Sequence, residues 1–185
     1  MRQNTWRSEI EHHYRRAWGE FAACLFAQGP VAELPSDFSV LCFPRRSGRE
    51  MWTYAKCGLA QPDDLNPMEL HLFSPRQDGG IVELLYAVAH YHRTGVRLGL
   101  GDSVNFGRPW LDRSECDRGL ISLPYLDGPS LEECSANGKG IRCLWLVPIT
   151  AAEADYKQRL GLNALEERLE KASFNYLDPQ RSSVV

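Results

Sequence analysis

Ile141-Arg-Cys-Leu-Trp-Leu-Val-Pro-Ile149-Thr150-Ala-Ala-Glu153 decides how this chain folds. From Ile141 to Ile149 apolar side chains fill both alternating sets, so the segment reads as a strand covered on both faces, central in its sheet. Thr150 and Glu153 then stand at capping-box spacing, each side chain placed to take the other's unpaired backbone amide. A helix therefore starts where the central strand stops, and Gly161 is its expected end.

Working backwards, Leu120 to Leu126 reads as a second strand, closed by a turn at Gly128-Pro129, and Asn137-Gly138-Lys139-Gly140 as the turn before Ile141. Three strand candidates lie further upstream: Ser39–Phe43, Met51–Cys57 and Met68–Phe73. In the last, Met68, Leu70 and Leu72 point one way, Glu69 and His71 the other. Short strands with short connections favour an antiparallel meander. Trp6, Ile10, Tyr14, Trp18, Phe21 and Leu25 recur at three and four, predicting one long amphipathic helix from Asn4 or Thr5 to Gly29-Pro30. Ile81, Leu84, Leu85, Val88 and Tyr91 predict another, opening after Asp78-Gly79-Gly80 and stopping at Gly95. Asn163 to Glu166 suggests a cap for a last helix carrying Leu165 and Leu169. Residues 95 to 119 form a glycine-punctuated loop with a short strand near Leu98; a loop this long that holds Trp and Phe points to function rather than disorder.

Composition narrows the function classes. The chain has 185 residues, 43% hydrophobic and 24% charged, with 21 basic and 24 acidic residues. That is a globular balance with a net charge of −3, and no surplus of Lys and Arg to neutralise a nucleic-acid backbone. No apolar run approaches the roughly 20 residues of a membrane span, and the N-terminus lacks the apolar stretch of an export leader. The expectation is a cytoplasmic protein with no membrane or nucleic-acid partner and with its six cysteines reduced. None of them forms a C-x-x-C pair.

No catalytic motif stands out. His90 and His92, two apart on a helix, face different ways and read as a pair stabilised by the helix dipole; His12-His13 fails as a metal site by the same geometry. Cys134 and Cys143 show no metal-ligand spacing with any histidine. Gly99-Leu-Gly101-Asp102 lacks the third glycine and following helix of a dinucleotide loop, and reads as a turn in which Asp102 accepts backbone amides. Cys57 and His71, on neighbouring strands, can in principle face each other as nucleophile and base, but no local signature surrounds any cysteine. Asp63-Asp64, Glu132-Glu133 and Glu166-Glu167 read as solvated carboxylates. No cofactor or metal is expected.

A series of segments carries more than any single motif: Trp52-Thr-Tyr54-Ala-Lys-Cys-Gly58, Met68-Glu-Leu-His-Leu72, Gly101-Asp-Ser-Val-Asn-Phe-Gly-Arg-Pro-Trp110, Leu120-Ile-Ser-Leu-Pro-Tyr125, Leu144-Trp-Leu-Val-Pro-Ile-Thr150-Ala-Ala-Glu153 and Leu177-Asp-Pro. Over roughly residues 35 to 180 it resembles the suppressor of fused domain family, in its short bacterial form. The resemblance implies an α+β fold: a single domain with a mixed, mostly antiparallel sheet flanked by helices. Residues 1–34 would form a helix packed on the domain, 35–180 the domain itself, and 181–185 a tail. It also implies a non-catalytic module that binds another polypeptide. Eukaryotic members grip transcription-factor peptides of the Hedgehog pathway as an added strand; this shorter chain lacks their second domain, so that partner is not carried over. Bacterial members suggest an immunity protein that neutralises a toxin domain by direct binding. Trp52, Tyr54, Asp102, Phe106, Arg108 and Trp110 are the expected partner-binding residues, with Trp52 and Trp110 equally readable as core. The competing reading is a small-molecule-binding or hydrolytic enzyme using the 99–110 loop as a pocket lip.

Overall fold

A computed structural model describes residues 5–24 and 33–185. In chain order the elements are α1 (Thr5–Trp18), β1 (Ala22–Cys24), β2 (Ser39–Phe43), β3 (Trp52–Cys57), β4 (Met68–Ser74), α2 (Gly79–Thr94), β5 (Ser103–Asn105), β6 (Cys116–Ser122), α3 (Pro129–Glu132), β7 (Glu133–Ala136), β8 (Lys139–Thr150), α4 (Ala151–Leu160) and α5 (Leu162–Lys171). The strands form one sheet in the order β1-β2-β3-β4-β8-β6-β5, with β7 added to β8. Every pairing is antiparallel except β4 with β8. The meander thus holds through β4, and the chain then runs through α2, β5, β6, α3 and β7 before β8 pairs with β4 in parallel.

Strand β8 is central and covered on both faces, as its composition requires. Leu144 and Leu146 join α2 in one core cluster. Cys143, Trp145, Val147 and Ile149 join α1, α4 and α5 in the other. Asn137 and Gly138 both have positive φ (49° and 76°), which makes the β7–β8 turn a tight hairpin turn. Two glycine positions are enforced. Gly138 supplies the left-handed second turn residue, whereas a Cβ on Gly119 would lie 2.6 Å from both the Leu146 and Phe106 side chains.

The structure corrects several expectations. The first helix ends at Trp18 because Gly19 turns left-handed (φ 87°) and donates its N–H to Arg15 O at 2.8 Å, closing the helix. Phe21 lies beyond it, Ala22–Cys24 is an edge strand, and Leu25 and Gly29-Pro30 lie outside the described residues, as do Asn4 and the Thr5 side chain. Pairing of β1 with β2 sets Cys24 diagonally across from Cys42, and the two form a disulfide with Cα atoms 6.4 Å apart. The expectation of six reduced thiols fails there; Cys57, Cys116, Cys134 and Cys143 are free and buried. The short strand placed near Leu98 is β5, at 103–105. Helix α5 begins at Leu162 behind Gly161 rather than at an Asn163 cap, and Glu166 instead accepts from Ser122 Oγ at 2.6 Å. Glu69 and His71, on the alternate face of β4, are fully buried because α1 covers that side.

The capping box at α4 is part of a larger anchor. Glu153, fully buried, caps the Thr150 amide at 2.8 Å and receives both guanidinium nitrogens of Arg181 at 2.7 Å. It also accepts the Val184 amide at 3.0 Å, while Arg181 donates to Pro148 O. Residues 181–185, set apart by sequence as a tail, are therefore tied into the core. Burial alone would raise the Glu153 carboxyl, but Arg181 and the two amides outweigh it and hold the pKa below the ordinary value. Replacing Glu153 with Ala strands a buried guanidinium and two amides, and is expected to cost about 3–5 kcal/mol in urea unfolding at pH 7. The loss should shrink as pH falls below the usual glutamate range, where the native carboxylate is itself protonated.

A second buried ionic arrangement lacks such compensation. Lys56 is completely buried on the α2 face, and its Nζ has no hydrogen-bond partner. Glu69, across the sheet, accepts the Gly58 and Ala60 amides at 3.0 Å through one oxygen and leaves the other unpaired. Burial pushes Lys56 from 10.5 down to about 7 and Glu69 from 4.5 up to about 8. Between pH 7 and 10.5 the unfolded chain holds the lysine proton and the fold does not, so this group's contribution to stability rises with pH through that window. Lys56→Met should accordingly stabilise the protein at pH 6, by on the order of 1–3 kcal/mol. That gain should fade as pH approaches 10.5, and a loss of stability at pH 6 would show that the ammonium is compensated.

Candidate functional site

The sheet and α2 frame a cavity of about 820 Å³ at the end where the parallel pair β4 and β8 begins. Three segments wall it. The 61–67 loop contributes Asp63, Asp64 and Leu65, the chain leaving α2 contributes Arg97 to Asp102, and β8 contributes Arg142 and Leu144. Loop positions carry most of the lining, but they are tied down. Asp64 accepts Arg93 Nη1 at 2.6 Å and the Gln61 amide at 2.8 Å. Lys139 Nζ donates to Pro62 O at 2.7 Å and Asp64 O at 2.5 Å, binding the β7–β8 hairpin to the same loop. On the other lip, Gly101 donates to Ile121 O, Ile121 to Asp102 O, and Lys157 Nζ to Gly101 O. Asp102 Oδ2 accepts the Gly99 amide at 2.8 Å, in the turn its sequence suggested.

Charge and apolar surface alternate around this cavity. Leu65 is 91% exposed on one lip and Leu100 40% exposed on the other. Arg97 and Arg142 supply positive charge, Asp63 and Asp102 negative. Asp64 departs from the solvated reading. Burial would raise its carboxyl, but Arg93, the Gln61 amide and Arg97 hold it below the ordinary value. His92 departs as well. It is buried, its Nδ1 accepts the Leu98 amide at 3.0 Å, and burial followed by the charges of Lys56, Arg97 and Arg93 pushes its pKa down to about 4. Rather than a dipole-stabilised cation, it is a neutral peg that fixes the chain leaving α2. Among the described residues lining the cavity there is no Ser, Thr, Cys, Tyr or Lys to act as nucleophile.

The other candidate chemistries lie away from it. Cys57 and His71 do fall diagonally on one face, because Ala55 pairs with His71 in the β3–β4 ladder. Both are fully buried beneath α1, where burial pushes the thiol far up and the imidazole down to about 3. Activation of a thiol needs both shifts in the opposite sense. Folding does bring His13, Cys134 and Cys143 together, with ligand atoms within 4.8 Å of one another, a juxtaposition no sequence spacing signalled. Both imidazole nitrogens are engaged there: Nε2 lies 2.8 Å from Leu131 O and Nδ1 lies 3.5 Å from the Arg16 guanidinium. That cationic neighbour disfavours a metal ion beside the two thiols.

Of the six expected partner-binding residues, only Asp102 lines the cavity. Trp110 is 3% exposed and donates its indole N–H to Ser114 Oγ at 3.0 Å, so the core reading holds for it. Tyr54 is buried and its hydroxyl accepts the Asp78 amide at the start of α2. Arg108 reaches the same helix end, donating to Gly80 O and Glu83. Phe106 packs over Gly119, and Trp52 packs half-buried against the α2-side core. Leu65, Arg97 and Arg142 were missed, because a single exposed leucine or arginine carries no sequence signal until the crossover assembles the cavity.

The sequence model of the family "Suppressor of fused protein (SUFU)" matches residues 35–182. A crystal structure of a SUFU homolog from Neisseria gonorrhoeae superposes with a TM-score of 0.85 at 29% identity, covering 97% of both chains. The structure of a Sufu–Fu complex gives 0.70 at 14% identity, covering 97% of this chain and 92% of that one. Drosophila Suppressor of Fused gives 0.72 at 15% identity, with this chain covering 51% of its length. At those identities the last two establish the shared fold. No curated protein matches at the sequence level. With the profile spanning most of its length and the sheet order built as described, this chain belongs to the suppressor of fused protein family.

Proposed function

We propose that this protein is a non-catalytic binding module that takes a segment of another polypeptide into the cavity between the 61–67 loop and the 97–102 segment. One observation carries the reading: two exposed leucines, Leu65 and Leu100, stand on opposite lips held by hydrogen bonds, with charged groups of both signs between them. Such a preformed site loses little entropy on binding, and apolar anchors inside a polar rim are what protein partners use. Asp102 belongs to this site, whereas Arg108 is held at the opposite end of α2. The structure of the Sufu–Fu complex supports the same reading, since that fold forms a complex with another protein.

The finer reading is an immunity protein, acting in the cytoplasm on a toxin domain encoded beside it. No helix among the described residues is long and apolar enough to cross a membrane. The Cys24–Cys42 disulfide is the one feature that fits an oxidising compartment better, so the number of free thiols in protein extracted under alkylation bears directly on location. The enzyme reading would have to rest on the carboxylates of the cavity wall, since its described lining residues include no Ser, Thr, Cys, Tyr or Lys.

The neighbouring genes are the first test: a large secreted toxin gene immediately upstream supports the immunity reading, a solitary gene argues against it, and co-expression with such a toxin then tests the proposal. Rescue of growth and a co-purifying complex are expected. Leu65→Asp and Leu100→Asp should each weaken capture at least about tenfold while leaving the melting temperature within a degree or two. Trp110→Ala should instead cost about 3–5 kcal/mol of stability. Undiminished capture by both leucine variants would remove the cavity from the interface.

A further inference from the structure

A second concavity, of about 630 Å³, opens on the opposite face of the sheet, between α5, the segment after it, and the strand ends of β6 and β8. Its composition differs in kind from the first. The floor and walls are aromatic: Trp145, Phe174 and Tyr176, with Tyr125 and Leu126 at the mouth. Trp145 stacks on Phe174 (6.4 Å, 27°) and meets Tyr176 edge-on (5.4 Å, 89°). Tyr125 is 59% and Leu126 46% exposed, so apolar surface stays open to solvent where the groove begins.

The charge of the lining residues has one sign, while Arg181, paired with buried Glu153, lies over the Phe174 ring at 5.5 Å. Glu166, Glu167 and Glu170 line the groove, and among the described lining residues no Lys, Arg or His answers them. Glu166 is held rather than free, accepting Ser122 Oγ at 2.6 Å and Tyr125 Oη at 3.2 Å. Lys171 reaches only the outer Glu167, at 3.7 Å between two exposed side chains. Burial first, and then the neighbouring Glu166, Glu132 and Glu170 carboxylates, push the Tyr125 hydroxyl upward. Trp145 itself is buried, and its indole N–H has no hydrogen-bond partner.

We infer that this groove is a second docking surface, taking a basic, extended segment of a partner polypeptide that carries an Arg or Lys. The long apolar stem of such a side chain lies along the aromatic walls, and its cationic head meets the ring faces and the Glu166–Glu170 rim. An acidic or neutral segment gains none of the electrostatic part. The inference extends the protein-binding reading, but it concerns the other face of the sheet and different residues, so either can fail alone.

Titration of the full-length ¹⁵N-labelled protein with a capped Gly-Arg-Leu-Arg-Gly peptide, and with its Gly-Glu-Leu-Glu-Gly counterpart, tests it. The arginine peptide should shift the Trp145 indole signal and the amides of α5, and the glutamate peptide should not. Glu166→Gln, which keeps an acceptor for Ser122, and the change Glu170→Gln at an exposed position should together weaken binding by about tenfold, as should raised salt. Leu65→Asp should leave this binding unchanged. Equal binding of both peptides, shifts confined to the 61–67 loop, no shifts at millimolar peptide, or insensitivity to the glutamine changes would each overturn the inference. So would a dimer that Tyr125→Asp dissolves, since the groove would then belong to a second copy of the chain.

Discussion

Everything in this molecule is hung on β8. Its twelve residues accept β4 in parallel on one edge, and β7 then β6 antiparallel on the other. Around Arg142 to Trp145 strands pair with both its edges, so there only its two faces remain to be covered, and the apolar side chains on both answer that need. Leu144 and Leu146 turn toward α2, while Cys143, Trp145 and Val147 turn toward α1 and α5. The two concavities follow from this. Each forms where the covering layer on one face stops short of the strand: one at the start of the β4–β8 pair, the other beyond α5.

Buried polar groups divide into two kinds here. Around Glu153 every acceptor site is used, by Arg181, the Thr150 amide and the Val184 amide, so a charge with no exposure becomes a joint between β8, α4 and the C-terminal residues. Around Lys56 and Glu69 the accounts do not close, since the ammonium and one carboxylate oxygen lack partners. A fully satisfied network specifies one arrangement, whereas a half-satisfied one only costs stability. The protein tolerates the second arrangement beside the first, and the large apolar clusters on both faces of the sheet provide the margin.

The two grooves also differ in how they treat charge. The cavity beside α2 carries both signs, and its buried carboxylate, Asp64, is spent on Arg93 and Arg97 to hold the loop. The lining of the groove under α5 carries one sign, with Glu166 positioned by hydroxyl groups that leave its charge uncompensated. Local pairing thus makes one site a shaped apolar clamp and leaves the other an electrostatic one. A net charge of −3 spread over the whole chain conceals both.

The main helices and the longer strands, the capping box at Thr150, the double-faced burial of 141–149 and the family resemblance were legible in the linear chain, because each depends on neighbours a few residues apart or on one repeating period, whereas the short elements β1, α3 and β7 were not. The end of α1 was not, since the apolar spacing runs on past Gly19 and only the backbone turn there ends the helix. Nor were the Cys24–Cys42 bond, the His13–Cys134–Cys143 cluster, the burial of His92 or the reach of Arg181 back to Glu153. Those groups are brought together by strand pairing and by the crossover after α2, at sequence separations that no local pattern encodes. The sites belong to this second class: an exposed leucine or a glutamate on a helix means nothing until packing decides which surface faces it.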